Sequence, residues 1–414
     1  MDRKLIVLFI ATIFISCNCE KQSTTPDDEK LLPVAHAGEN QASLVGSYGI
    51  LNALQSQGNG QAITKYIWSQ YWNNPATVRF RDYEASQKVG FTKEGTYRFI
   101  LRVQTEAGIS LPDTLKIEVG PRENPVFEDP NLEVHLHWMF KKQNEPLTED
   151  DYLNIDTLDT GYFSTYDIFS IKGIEVCENL TYLHMHSEQV SDLEPLSNLI
   201  KLVTIDFSEN DSIKSLEPLI KLKNLEYVDL RCNCIIDIEP IRNLINVKRL
   251  ELNDNIFINE ISAVECLKDL EYLYFGPAMI DDINPVKNLT RLERLLLVSC
   301  NIKNISPVEN LTNLDVLYLN WNQIEDISCL FKLKKLVRLY LDGNRVKDIS
   351  VLEGLTGLNF VILCDNLIED IKPLVDNIGI NQGDLVDVSG NPLNEVSRKE
   401  YIPILRNRGV HVIG

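Results

Sequence analysis

Residues 314–324 read LDVLYLNWNQI. Leu314, Leu317 and Leu319 stand at positions 0, +3 and +5 and Asn322 at +8, so the stretch has the form L-x-x-L-x-L-x-x-N. Alternation of period two across Leu317–Leu319 predicts a short strand with its leucines on one side and Tyr318 on the other. The same form begins again at Leu180, Leu202, Leu225, Val247, Leu270, Leu292, Leu336 and Leu358, with a degenerate unit near Gly383. Successive starts are 22 or 23 residues apart until a last interval of 25. A unit this small cannot bury its apolar side alone, so neighbours must stack around one continuous core.

Each position in the unit has a physical task. Positions 0, +3 and +5 point inward, while +2, +4 and +6 face out. At +8 Asn recurs as Asn210, Asn233, Asn255, Asn322, Asn344 and Asn366, where its amide can satisfy backbone groups as the chain leaves the strand. Glu188, Ala278 and Cys300 interrupt that ladder, and less regular turns are expected there. DLEPL (192–196), DIEPI (237–241), DINPV (282–286), NISPV (304–308) and DIKPL (370–374) place a proline at the expected first position of a helical turn on the opposite, convex side.

An open-ended array needs caps. Pro130 and Thr148-Glu149-Asp150 each predict a helix start before the repeats. After them VDVSGNPLNEVSRKEYIPILRNRGVHVIG (386–414) carries a last strand, Asn391-Pro392-Leu393 and a helix from about Ser397. The array resembles leucine-rich repeats, and with its ends included residues 127–414 resemble bacterial proteins of the internalin type. The resemblance implies a right-handed solenoid with a parallel β-sheet on its concave face, short helical turns on its convex face and helical caps. We place an N-terminal cap at 122–165, about ten repeats at 166–391 and a C-terminal cap at 392–414.

The chain before the repeats divides in three. MDRK precedes the apolar run LIVLFIATIFI and then Ser16-Cys17, a pattern too short to span a bilayer that fits an export signal over 1–17. Phe14-Ile15-Ser16-Cys17 resembles the bacterial lipobox, which implies lipidation of Cys17 and an exported protein anchored to the bacterial envelope, at the outer membrane or cell surface. Residues 18–32 read as a tether. Between 33 and 121, alternating runs such as YRFILRVQ (97–104) and DTLKIEV (113–119) predict about seven short strands in an all-β, immunoglobulin-like sandwich. PVAHAGENQ (33–41), ITKYIWSQ (63–70) and EGTYRFILRV (94–103) resemble the PKD-like domain, which implies a spacer with Trp68 in its core. LQSQGNGQ (54–61) stands where that family has an acidic loop, so no calcium role is expected there.

With 414 residues and a net charge of −20, the chain is poorly suited to nucleic acid or to electrostatic attachment to anionic lipid. It contains no GxGxxG, P-loop, HExxH or GxSxG, and we expect neither catalysis nor a cofactor. Cys177, Cys232, Cys234, Cys266, Cys300, Cys329 and Cys364 share no repeat column, so isolated and mostly buried thiols are expected. His184 and His186 face the same side but show no evident third ligand, and no metal site is expected. His135 and His137 lie two apart on a helix and point in different directions.

Function should lie on the outward positions. Column +4 runs His184, Asp206, Asp229, Glu251, Tyr274, Leu296, Tyr318, Tyr340, Ile362, Asp387, and column +2 runs Tyr182, Thr204, Tyr227, Arg249, Tyr272, Arg294, Val316, Arg338, Phe360, Leu385. Asp206, Asp229 and Glu251 form an acidic patch that Arg231 and Arg249 can compensate diagonally; a basic partner or a cation are the alternatives. Toward the other end Tyr272, Tyr274, Arg294, Leu296, Tyr318, Trp321, Arg338, Tyr340, Phe360 and Ile362 make a candidate binding surface rich in hot-spot residue types. Tyr274, Tyr318, Trp321 and Tyr340 are the expected anchors, and Trp321, at the strand's exit, is open to some burial against the neighbouring turn. Ten strands at about 4.8 Å give a face ~43 Å long, enough for a protein or a long glycan. The expectation is a monomeric, non-enzymatic recognition or adhesion protein that binds a protein ligand. A carbohydrate-binding module and a structural envelope lipoprotein without a ligand are the alternatives.

Overall fold

A computed structural model describes residues 31–122, 125–142, 145–161 and 167–414. The export signal, Cys17 and most of the tether lie outside the described residues.

The first unit pairs two sheets. One has the order Gln41–Leu44, Asp113–Gly120, Gly95–Thr105, Lys65–Gln70, with Gly108–Ile109 hairpinned onto Gly95–Thr105. Its outermost strand Gln41–Leu44 runs parallel to its neighbour, so the sheet is mixed. The other sheet is the antiparallel pair Tyr48–Asn52 and Ser86–Gly90. Alternate residues of Gly95–Thr105 point inward, and Tyr97, Phe99, Leu101 and Val103 are fully buried with Phe91, Leu115 and Ile117. Trp68 is in this core, and its indole N–H donates to Glu84 O at 3.0 Å.

Two capped helices follow. Pro130–Met139 starts where the Asp129 carboxylate accepts the Asn131 N–H at 2.8 Å. Glu149–Leu153 starts at a capping box between Thr148 and Asp151. Arg122 fastens the first unit to the cap: its guanidinium donates to Glu133 at 2.6 Å and to Glu128 O at 3.2 Å, and both charged side chains are largely buried. Gly46 turns at φ +86 directly over the Glu133 carboxylate, where a Cβ would sit 2.7 Å from an oxygen. Lys88 lies 4.4 Å from the Tyr48 ring and 5.3 Å from the Trp138 ring, bridging the two units by cation–π contacts.

The solenoid sheet has 12 parallel strands in chain order, from Thr157–Asp159 to His411–Ile413. Two of them, the first within the N-terminal cap and the last beyond the final helix, fall outside the repeat pattern and lengthen the face to ~53 Å at strand spacing. Register is strict: Val316, Leu317 and Tyr318 pair with Arg338, Leu339 and Tyr340. Leu314, Leu317 and Leu319 are fully exclusive of solvent, and their equivalents in each coil join one core from Phe127 to Val412. Burying such a leucine contributes on the order of 2 kcal/mol.

On the convex side most coils close with a 3₁₀ turn, such as Glu194–Leu196, Glu239–Asn243 or Ser306–Asn310; Lys372–Asp376 alone among these closing turns is α-helical. Proline is the second residue of the turn rather than the expected first. The first N–H is already taken: Asp192 Oδ1 accepts it from Glu194 at 2.9 Å, and Asp237, Asp282, Asn304, Asp326, Asp348 and Asp370 repeat the bond at 2.8–3.0 Å. The second N–H has no such acceptor, so proline loses nothing there.

The asparagine ladder connects coils. Asn322 Nδ2 donates to Leu297 O of the preceding coil at 2.8 Å and to Leu319 O of its own at 2.9 Å. Its Oδ1 accepts from Ile302 N at 2.9 Å and Cys300 N at 3.0 Å. Asn391 of the degenerate last unit makes the same set of bonds. Glu188, a break in the sequence pattern, keeps half of this role, accepting from Ile168 N at 2.8 Å while buried. Burial pushes its carboxyl up to about 7. Just before the ladder, Ser187, Glu209, Cys232, Asp254, Ser299, Trp321, Gly343, Asp365 and Gly390 all have φ between +51 and +71, a left-handed column that turns the chain out of the sheet.

Two outcomes follow for stability. Asn322→Ala strands buried backbone donors and acceptors in two coils and should cost about 3 kcal/mol in chemical denaturation, whereas Lys303→Ala on the exposed flank should stay within about 0.5 kcal/mol. Glu188 binds a proton in the fold that the unfolded chain has already released between about pH 4.5 and 7, so its contribution falls as pH rises through that window. Glu188→Gln keeps the acceptor without the charge. Its stability relative to the parent should therefore rise by on the order of 2 kcal/mol from pH 4.5 to 8; parallel stability–pH curves would contradict this.

Candidate functional site: the concave face

Strand pairing brings the +2 and +4 columns into two continuous rows. In row +4 Glu251, Tyr274, Leu296, Tyr318, Tyr340 and Ile362 stand side by side, and in row +2 Tyr227, Arg249, Tyr272, Arg294, Val316, Arg338 and Phe360 do so.

The aromatic half is a contact network. Tyr318 and Tyr340 have ring centroids 4.0 Å apart at 45°. Arg338 lies 5.2 Å from the Phe360 ring centroid, and Arg294 lies 3.9 Å from Asp315. Tyr272, Tyr274, Tyr318, Tyr340, Phe360 and Ile362 are half-buried, each with an edge in solvent, and Arg294 and Arg338 are exposed. Trp321 is the most exposed of the aromatic members at 57%, and its indole lies against the Gly343 backbone, where a Cβ would fall 2.6 Å from the ring. Leu296 departs from expectation: it is only 8% exposed. In register between Tyr274 and Tyr318, it sits below two longer side chains and lines the floor of the ridge.

The acidic half is not an open patch. Asp229 is fully buried and Glu251 is 3% exposed, which leaves little surface for a basic partner. Compensation runs along each strand and not diagonally: Arg249 Nη2 is 2.7 Å from Glu251 Oε1, and Arg231 Nε is 3.3 Å from Asp229 Oδ2. Residues two apart share a face, so the arginine reaches its own strand's carboxylate first. The Arg231 pair is within ion-pair distance but misaligned for a hydrogen bond. Burial, then the neighbouring Asp206 and Glu251 charges, push the Asp229 carboxyl up to about 7.

Sequence reasoning missed three things here. Arg249 is clasped between two tyrosines, 4.2 Å from the Tyr272 centroid and 5.3 Å from that of Tyr227; the signal was the Tyr-Arg-Tyr order in column +2. The left-handed column that holds Trp321 has no residue signature beyond scattered Gly, Asp and Ser. The third partner for the histidines does exist: His184 Nε2 is 3.3 Å from Asp206 Oδ2, and Nδ1 is 3.0 Å from Asp159 Oδ1 on the cap strand. His135, pushed down to about 4 by burial, lies on the cap helix beside Asp159, and on the same helix His137 Nδ1 is 2.6 Å from Lys142 O. The seven described cysteines are free, but only Cys177 and Cys300 are buried; the other five lie at coil edges and are half-buried.

Comparison with known proteins agrees with this geometry. Family profiles described as leucine-rich repeats (2 copies) and leucine-rich repeat match residues 200–243 and 290–346. The structure is similar to an internalin (inlF) from Listeria monocytogenes, with TM-score 0.60 and 28% identity over 70% of this chain and 92% of that one. A leucine-rich-repeat protein of Leptospira interrogans shares the fold, with TM-score 0.55 and 20% identity over 65% of this chain and 75% of that one. No curated protein matched in a comparison of sequences. Residues 200–243 and 290–346 thus match leucine-rich repeats, and they lie in a solenoid whose fold is similar to that of an internalin.

Proposed function

We propose that this is a non-enzymatic recognition protein that binds a protein ligand on the aromatic half of its concave face. The observation that carries the reading is Trp321. A bulky residue at φ +58 is an outlier, and a left-handed L-residue costs roughly 1–2 kcal/mol. Gly343 and Gly390 serve the same column at no such cost, and Trp321 remains 57% exposed. Seven of the nine residues in that column are not glycine, so the conformation belongs to the fold; what sets Trp321 apart is that the column's one large aromatic is left 57% exposed, an arrangement suited to contact. Beside it the Tyr318–Tyr340 pair, Tyr274, Phe360 and Ile362 offer apolar edges, with Leu296 beneath, while Arg294 and Arg338 supply orienting charges. The five ridge strands cover ~24 Å of a face ~13 Å wide, about 300 Å², a compact anchor within the ~800 Å² that a standard protein partner covers.

The remaining assignments frame that surface. Residues 1–17 export the chain, Cys17 carries lipid that holds it to the bacterial envelope, and 18–32 tether it. Residues 33–121 are a PKD-like spacer, and its buried Arg122–Glu133 junction with the cap presents the solenoid in a fixed attitude. The protein acts as a monomer, without nucleic acid. A glycan is the second reading, favoured by the exposed flat face of Trp321, on which sugar rings can stack.

The test is a binding screen of the chain from residue 31 against cell-surface proteins and glycans. Tyr318→Ala/Tyr340→Ala should weaken the ligand found by at least tenfold. Trp321→Gly separates function from folding: stability should stay within about 1 kcal/mol of the parent, because glycine relieves the left-handed strain, while binding falls by a similar factor. Undiminished binding by both variants would remove the ridge from consideration.

A further inference from the structure

The histidine pair at the N-terminal edge of the sheet lies outside the aromatic ridge. His184 ends the strand Tyr182–His184 and His186 follows two residues on, with ring centroids 6.0 Å apart. The next strand sets Asp206 directly beside His184. One donor atom from each of His184, His186 and Asp206 falls within 4.8 Å of the others, and all three side chains are partly open to solvent.

We propose that His184, His186 and Asp206 form a site for a divalent transition-metal ion of the zinc type. Two imidazoles with one carboxylate select zinc and its first-row neighbours over calcium or magnesium, which take oxygen donors. A tetrahedral ion with bonds of about 2.0–2.1 Å holds its donors roughly 3.3–3.4 Å apart. His184 Nε2 and Asp206 Oδ2 already stand 3.3 Å apart. Closing the gap to His186, at most 4.8 Å, to tetrahedral spacing needs up to ~1.5 Å of movement by a half-exposed side chain on a turn, within ordinary rotamer freedom.

The surroundings suit such an ion. Metal-bound histidines normally give their second N–H to a carboxylate that fixes the ring. Asp159 Oδ1 lies 3.0 Å from His184 Nδ1, at ion-pair distance but not aligned as a hydrogen bond, and is the carboxylate nearest to that role. A cation between His184 Nε2 and Asp206 Oδ2 would draw on a lone pair of each. Ser208 Oγ donates to Asp206 Oδ1 at 2.6 Å while sitting 2.8 Å from His186 Nδ1, so its single proton holds the carboxylate in place. A Cβ on Gly161 would lie 3.2 Å from His184 Cε1, and its absence lets the ring lie flat between the two aspartates.

Calorimetric titration of the metal-free chain with zinc chloride, read beside the melting temperature, tests the site. One equivalent should bind and raise the melting temperature, and cobalt(II) in its place should give the visible absorption of a four- or five-coordinate ion. His184→Ala and the milder His186→Gln should each weaken zinc by at least about tenfold, and each should shrink the zinc-induced rise in melting temperature measured against that variant's own metal-free value. Asp159→Asn should keep one equivalent at roughly tenfold lower affinity. Absence of zinc heat and of stabilisation, or equal affinity in both histidine variants, overturns the proposal and leaves His184 as an imidazole paired with two aspartates.

Discussion

The solenoid depends on one buried amide repeated from coil to coil. Each asparagine at +8 gives hydrogen bonds to its own coil and to the one before it, and accepts backbone N–H groups of that earlier coil. Without it, the coils that it joins would carry unpaired backbone groups at the point where the strand ends and the chain turns outward, each costing on the order of 1–3 kcal/mol. Because the amide fixes the coil-to-coil step, it also fixes strand register. Register in turn decides which side chains meet on the concave face.

Division of labour follows from that constraint. Inward positions are committed to the core and the +8 amide to the backbone, while the outward columns are free to differ between coils. The two ends of the face use that freedom in opposite ways. Near the N-terminal end the outward residues satisfy one another: Asp229 with Arg231, Glu251 with Arg249 and Tyr227, and His184 with Asp159 and Asp206. Toward the C-terminal end Tyr318, Tyr340 and Trp321 contact one another or the adjacent backbone and still keep exposed surface.

Much of this was legible in the residues themselves. The 22- and 23-residue spacing, the inward leucines and the Asn column are repeated signals, and repetition lets a weak local pattern be read with certainty. Features that occur once were harder to see. The strand Thr157–Asp159 has no repeat signature, so Asp159 could not be placed beside His184 although Asp206, in the same column as that histidine, could have been. Burial of Leu296, Asp229 and Glu251 depends on the reach of neighbouring side chains, which a column of letters does not carry. The left-handed turn at Trp321 was hidden because several residue types fill that column, so no single letter marks it. The Asp and Asn residues that open the convex turns stand in plain view within DLEPL and its equivalents, two residues before the N–H that their side chains accept.

Hydroxyl-radical footprinting of the chain with and without its ligand tests the central claim most directly, because it reports side-chain solvent access residue by residue. The account expects protection of Tyr318, Trp321, Tyr340 and Phe360 on the concave ridge, with Phe331 on the convex side and Trp72 in the first unit, both exposed in the free protein, oxidised as before. Protection of Phe331 or Trp72 with an unchanged ridge would contradict it.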